Sequence, residues 1–388
     1  MKKLDMITCI IKLNLIMNTD LNIQRKQTEI DYNSLYSKVK FLPGGFVNIY
    51  KDRSISSAKT VFIVKKYLAK ILNSTSKKIK VGHTGTLDLE ARGILPIAFG
   101  CATKLVDIIM NSKKSYNFIV RFGYSTDTMD SSGKINGSSS HYPKNSQDIL
   151  NIIPSFIGNI KQIPPIYSAI KINGKRAYDI AMNNSQSTKF SNIEKEENIL
   201  SNNDKLQNIF DKNKERKVNI YDLKLNHYDI SKKEASFSVE CSKGTYIRSL
   251  ATDIALSLQS LGYVIDLERS IVGCFSQKEA ISIGSNHISD GLLSDIRNNL
   301  FTIDHILGDI PVVEIDKRKT IDIIHGKKVM LNNIVTNKDN LLCLKTRDFT
   351  EVDNITSDRL YGKHNIVAIG KVDNNIFTSN NVFCYLNQ

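Results

Sequence analysis

The sequence predicts an α+β protein, with a large domain and a small, mostly β domain at its C-terminal end. Three observations carry that reading. In ASFSVEC (235–241) apolar residues alternate with polar ones, as in a half-buried strand. After Ser56-Ser57, and again through Leu250–Leu261, apolar residues recur three and four apart, as in amphipathic helices. Beyond about residue 305 the apolar residues fall into short β-like runs, PVVEI, LLCLK, NIVAIG and VFCYL. The division expected is a poorly ordered extension over 1–43, a large domain over 44–300 and a small one over 305–388. Met17 is an alternative start within the extension.

Pro43-Gly44-Gly45 opens the large domain, and GFVNIYK (45–51) is a strand candidate. Ser56-Ser57 can cap a helix whose Val61, Val64, Leu68 and Ile71 share one face. Lys59, Lys65, Lys66 and Lys70 spread over the rest of that helix, and NSTSKKIK (73–80) forms a basic loop. YNFIVRFG (116–123) reads as a strand closed by Gly123, followed by a polar loop over 123–140. A helix is expected over 146–160. In KQIPPIYSAIKINGKRAYDIA (161–181) two prolines break regular structure beside a second basic cluster. Residues 183–216 are rich in Asn, Ser and Lys and poor in apolar groups, so they read as a mobile polar insertion. Order resumes at KVNIYDLKL (217–225). The strand ASFSVEC then runs through SKGTYIRS into a helix with Leu250, Ala251, Ile254, Ala255, Leu258 and Leu261 inward and Gly262 at its C-terminal end.

The formal charge is +14 and 41% of the residues are hydrophobic, enough for a real core. Excess cations suit a polyanionic partner, since clustered Lys and Arg attract phosphates and release counterions. The same excess suits a merely solvated surface or an AT-rich codon bias. Cys9, Cys101, Cys241, Cys274, Cys343 and Cys384 are far apart, and none has zinc-ligand spacing, so they read as free thiols of a reducing compartment. No run reaches the ~18 apolar residues of a membrane helix. The basic, apolar start faintly resembles a signal peptide but is interrupted by Lys12 and lacks a cleavage site.

GHTGTLD (82–88) concentrates the chemistry. Gly82 and Gly85 allow tight turns or close approach of a ligand. The stretch lacks the Lys of a phosphate-binding Walker loop, and His83 with Asp88 has no third ligand for a metal. Asp88, between two leucines, is either a turn former or a functional carboxylate. Arg248, in KGTYIRS, is either a surface ion pair or, if buried, in need of a carboxylate such as Asp88. Tyr116 is either a core aromatic or a stacking face for a base.

The order of motifs is more specific than any one of them. GHTGTLD, ILPIAFGCATK, KSY, GYSTDTMDSSG, QIPPIYSAIKINGKRAY, SKGTYIRSLATDI and LERSIVGCF follow one another as in the TruB family of tRNA pseudouridine synthases, which the chain resembles over about 44–182 and 217–280. IIHGKK (323–328) and IVAIGK more weakly resemble that family's PUA-like RNA-binding domain.

The resemblance implies a pseudouridine synthase fold, with a central mixed or antiparallel sheet flanked by helices. It implies isomerisation of uridine at position 55 of the tRNA T-loop, by base flipping and exchange of the C1′–N1 bond for C1′–C5. Asp88 would be the essential carboxylate, Tyr116 the base-stacking tyrosine and favoured group for the C5 proton, and Arg248 the partner of Asp88. Gly82, His83 and Thr84 would shape the loop that meets the RNA, with Tyr246, Leu267 and Arg269 in the pocket. Lys104, Lys171, Lys175 and Arg176 would serve the RNA backbone. The family implies no metal or cofactor, no obligate protein partner, no membrane and a monomer, while cysteine usage and the lack of a convincing signal point to a cytoplasmic setting.

Two stretches depart from the family pattern. After the aspartate the family has Pro-Leu-Ala-Ser/Thr-Gly, and here Leu89-Glu90-Ala91-Arg92-Gly93, which restores backbone freedom. Arg92 is expected to pair with Glu90 or to meet phosphate. The early KPxGxTS segment is Lys51-Asp52-Arg53-Ser54-Ile55-Ser56-Ser57. The altered loop keeps a second hypothesis in view, a catalytically weak or inactive tRNA-binding or folding factor on the same scaffold.

Overall fold

The computed structural model describes residues 31–165, 167, 171–172, 175–176, 215–284, 291–332, 334–347 and 365–387. Most of the expected insertion and residues 1–30 lie outside these. Among the described residues two compact units emerge: one holds residues 43–308, the other joins 31–42 with those from 309 on.

The chain is first described in α1 (Tyr32–Ser37) and β1 (Val39–Phe41), where a poorly ordered extension is expected. Asp31 caps α1 through the backbone N–H groups of Asn33 and Ser34.

The large unit begins with β2 (Gly44–Lys51) and α2 (Ser57–Ile71), capped by the Ser56 side chain. It continues through β3 (Val81–His83), β4 (Arg92–Gly100), α3 (Val106–Asn111), β5 (Lys114–Phe122), β6 (Tyr124–Thr126) and β7 (Ile135–Ser138). The polar loop expected after Gly123 therefore contains a two-stranded hairpin. Then come α4 (Ser146–Ile152) and β8 (Gly158–Gln162), where a single helix over 146–160 is expected. Pro154 has no N–H to continue the helix, so a 3₁₀ turn follows, and Gly158 at φ +94° turns the chain into the strand. Two short strands, β9 (Lys171–Ile172) and β10 (Lys175–Arg176), pair with each other.

After β10 come β11 (Arg216–Asp229), β12 (Glu234–Cys241), α5 (Ile247–Ser257), β13 (Gly262–Val272), β14 (Phe275–Ser276), β15 (Ile281–Ile283), α6 (Leu292–Asn298) and β16 (Leu300–Phe301). The helix α5 stops short of Leu261, and Gly262 opens a strand rather than ending a helix.

The central sheet runs β15-β2-β4-β13-β5-β12-β11-β8. It is mixed: β4 with β13 and β15 with β2 are parallel, and the other pairs on that path are antiparallel. Strand alternation buries Ala235, Phe237, Val239 and Cys241 against Leu250 and Ile254 of α5. A second core packs Val64, Leu68 and Ile71 of α2 on Val47, Ile49, Ile97 and Phe99.

The small unit adds β17 (Val312–Ile315), α7 (Lys317–Ile324), β18 (Val329–Met330), β19 (Leu341–Thr346), β20 (Ile366–Asp373), β21 (Ile376–Val382) and β22 (Cys384–Leu386). Its five-stranded sheet has the order β17-β19-β20-β21-β18, and β22 pairs with β1. Among the described residues no helix is long and apolar enough to cross a membrane. Cys101, Cys241, Cys343 and Cys384 are buried free thiols, whereas Cys274 is exposed.

Candidate active site

β3 and β4 run antiparallel, and residues 84–91 form the loop between them. Gly85, at φ +135°, allows the chain to leave β3 in a direction a side chain would oppose. The loop is tied on both sides of Asp88. The Ser57 hydroxyl donates to the Leu87 carbonyl and accepts from the Leu87 N–H, both at 2.9 Å. The Leu89 carbonyl accepts from the Ser54 N–H at 3.1 Å and from Lys51 Nζ at 3.4 Å. Lys51 is fully buried, and burial pulls its ammonium down to about 8, opposed by the charge of Asp88. Leu87, Ala91 and Leu95 pack with Leu267 into an apolar wall under the loop.

Asp88 meets Arg248 across this loop, Oδ2 to Nη2 at 3.0 Å. Arg248 is the second residue of α5, where a cation opposes the helix dipole, and its side chain is only 6% exposed. Such a guanidinium needs anions and carbonyls around it. It has two carboxylates, Asp88 and, at 3.6 Å, Asp130. It also donates to the carbonyls of Thr128 (2.9 Å) and Tyr167 (3.0 Å). Gln162 fixes the helix entrance by bonding both the N–H and the carbonyl of Tyr246. The Asp88 side chain remains 43% exposed, so the arginine holds one edge of the carboxylate and leaves the rest open.

A third layer stands on β13. Arg269 is buried and donates to the carbonyls of Gly85 (2.9 Å), Thr86 (3.4 Å) and Ile94 (2.8 Å). It therefore ties the root of the loop to the sheet. Tyr116 lies opposite Arg269 in the β5–β13 ladder. Burial pushes the Tyr116 phenol up, and Arg269 pulls against it. Burial pulls His83 down, Arg269 adds to this, and its Nδ1 accepts from the Gly85 N–H at 3.2 Å. His83 is thus a neutral strut of the loop.

Asp88, Tyr116, Tyr246, Arg248, Arg269 and Thr84 all line one open groove of about 900 Å³. Gly82 lies in β3, paired with Ala98. Leu267 lines a smaller recess beside Asp88. Lys104 sits in the 3₁₀ turn Cys101–Leu105 and does not line the groove. Lys171, Lys175 and Arg176 fall on β9 and β10, with side chains outside the described residues. Arg92 pairs neither with Glu90 nor outward: it bonds Asp266, Nη1 to Oδ1 at 2.5 Å and Nη2 to Oδ2 at 3.0 Å. The loop expected to be loosened by its lost proline is held at its far end by that pair.

Sequence reasoning passed over three groups of the site. Asp130 lies in a motif that reads as a polar loop and holds a second acid, Asp127, so local sequence does not single it out. Lys114 enters the sequence reading only as the first residue of KSY. Its Nζ donates to the carbonyls of Ile109, Met110 and Ser112 at the end of α3, and burial pulls it down to about 8. Gln162 carries no sequence signal beyond its place beside two prolines. Among the described residues no group of His, Cys, Asp or Glu could hold a metal.

The comparisons with known proteins agree with this architecture. A family model described as TruB family pseudouridylate synthase (N terminal domain) matches residues 70–199. The tRNA pseudouridine synthase B of Rickettsia felis is 42% identical over 288 residues, 74% of this chain and 75% of that protein. That of Rickettsia akari is 38% identical over 339 residues, 87% of this chain and 98% of that protein. Among solved structures, the crystal structure of a Cbf5-Nop10-Gar1 complex aligns with a TM-score of 0.55 at 19% identity, covering 92% of this chain and 88% of that one. The archaeal box H/ACA sRNP Nop10-Cbf5 complex aligns with a TM-score of 0.52 at 19% identity, covering 87% and 86%. These two establish the fold, and the sequence relatives establish the family: this chain belongs to the TruB family of pseudouridine synthases.

Proposed function

We propose that this chain isomerises uridine 55 in the T-loop of tRNA to pseudouridine, with Asp88 as its catalytic carboxylate. One observation carries the reading. Asp88 is ion-paired to a buried arginine along one edge, yet is 43% exposed on a groove it shares with Tyr116. A uridine stacked in the T-loop is out of reach, so it must be flipped into such a groove. The flipped base needs an aromatic face, which Tyr116 offers on the groove, and an apolar wall, which Leu267 offers in the recess beside Asp88. The C1′–N1 bond breaks, the base rotates, and C1′–C5 forms. N1 ends with a proton and C5 loses one. Charge builds on the sugar as the bond breaks, and a carboxylate held in place without reorganising stabilises it. Tyr116 can take the C5 proton only as a phenolate: burial opposes that form, the charge of Arg269 favours it, and the proton the phenol gives up matches the one N1 gains.

Basic segments over 51–80, 104–114 and 161–176 would follow the phosphates, except for Lys51 and Lys114, whose ammonium groups are buried on backbone carbonyls. The same reading makes the chain a monomer that works in the cytoplasm on naked tRNA, with no metal, cofactor or protein partner. The experiment is tritium release from tRNA labelled at uridine C5, with wild type beside Asp88→Asn. Release by wild type alone, lost when the T-loop uridine is replaced, is the expected outcome. Full turnover by Asp88→Asn would remove the carboxylate from its role. tRNA binding without release by wild type would leave a binding protein.

A further inference from the structure

The two stretches that depart from the family's motif pattern, 51–57 and 89–93, meet at one carboxylate. Asp266 on β13 receives Arg92 through both guanidinium nitrogens and also pairs with Arg53. Arg92 further approaches Glu268 at 3.8 Å, and Glu268 accepts from the Tyr50 hydroxyl at 2.7 Å. The side chains at this bridge are partly buried, 28% exposed for Arg92 and 22% for Asp266.

The position of this bridge gives it a role. β4 and β13 are parallel neighbours only at Glu268–Arg92 and Arg269–Gly93, directly after the Asp88 loop. Gly93 has no room for a side chain there, since a Cβ would lie 2.2 Å from the Arg269 carbonyl oxygen. Arg269 holds the beginning of the loop to β13 through Gly85 and Thr86. Arg92 holds its end to the same strand through Asp266. Arg53 brings the segment that carries Ser54 and Ser57, the residues bonded to Leu89 and Leu87, onto the same carboxylate. Neither stretch contains a proline to stiffen it.

We infer that Asp266 is a positioning residue for catalysis: with Arg53 and Arg92 it forms an ionic bridge that fixes the Asp88 loop, replacing the backbone stiffness that proline would supply. This rests on Asp88 being the catalytic carboxylate. Asp266 does not line the groove that Asp88 shares with Tyr116, so its loss should be read in the rate of the chemical step and not in tRNA affinity.

The test is single-turnover pseudouridine formation on tRNA by wild type, Asp266→Asn, Asp266→Asn with Leu89→Pro, and Asp88→Asn. Asp266→Asn should slow the single-turnover rate about 10- to 100-fold, with tRNA binding unchanged. Leu89 is exposed, lies outside the positive-φ residues and is the second residue of the turn closed by the Ala91 N–H on the Asp88 carbonyl, the turn position that proline favours. Adding Leu89→Pro should restore most of the lost rate, because it stiffens Asp88 and Leu89 without the bridge. A merely structural role for Asp266 in the sheet would not be rescued at residue 89. A wild-type rate in Asp266→Asn, or no recovery on adding proline, overturns the inference. If Asp266→Asn does not fold, Arg92→Met with and without Leu89→Pro is read the same way, Asp266 still being held by Arg53. Turnover by Asp88→Asn would instead overturn the catalytic reading beneath it.

Discussion

Replacing Ser57 by alanine isolates the contribution of one hydroxyl to the loop that carries Asp88. The Ser57 oxygen serves both backbone groups of Leu87, each at 2.9 Å. Ser57 is 4% exposed and Leu87 5%, so water cannot take its place without the loop opening. An unsatisfied buried backbone group costs ~1–3 kcal/mol, and two are created, so with partial relaxation the loss is ~2–4 kcal/mol. Alanine is the better helix former and Ser56 remains the cap of α2, so helix propensity does not contribute to the loss. At roughly 2–4 °C per kcal/mol for a unit of this size, the melting temperature should fall by ~4–16 °C. The loop should also lose order one residue from the carboxylate. If ~1.4 kcal/mol of the loss is expressed there, single-turnover pseudouridine formation falls about tenfold. Thermal denaturation and single-turnover assays on the same preparation give both numbers. A melting temperature within about 1 °C of wild type would refute the reasoning, since the unsatisfied groups would then have found other partners.

Arg248→Lys keeps the charge but loses the planar fork that spans Asp88, Asp130 and two carbonyls. A lysine reaches one carboxylate at a time, and losing two charge-assisted bonds at ~1.5–3 kcal/mol each should lower the single-turnover rate about a hundredfold or more, with tRNA affinity kept. Lys51 and Lys114 are both pulled down to about 8 by burial. Folded protein therefore releases these protons near pH 8, while unfolded chain holds them to about 10.5, so both groups add stability as pH rises through that window. The stability difference between wild type and Lys51→Met, from urea melts at pH 7.5 and 10, should move in favour of wild type at the higher pH.

The parts of this protein that sequence made legible are those set by local periodicity. The strand at 235–241 and the inward face of α2 follow from alternation and from spacing. The same logic failed where one residue overruled a pattern, as Pro154 did by ending α4. At the site, Asp88 and Arg248 were found through their motifs, and the ion pair between them was proposed from the need of a buried guanidinium. Asp130 and Asp266 were not found. Both act on arginines far away in sequence, and only the folding of β6, β13 and the loop brings them together. Arg92 shows the limit most clearly: in sequence its nearest acid is Glu90, while in space its partner is on another strand.

The pairing of β1 with β22 ties order of synthesis to order of folding. Residues 39–41 leave the ribosome early, and their partners at 384–386 leave it after every other described strand. Closing that ladder in an unfolded chain would confine nearly the whole sequence in one loop, at an entropic cost that grows with its length. The large unit, residues 43–308, lies within that loop and owes neither strand anything. Its folding first shrinks the loop to a compact body with two emerging ends. The groove that Asp88 and Tyr116 line can therefore form on the nascent chain, and the small unit is the last to close.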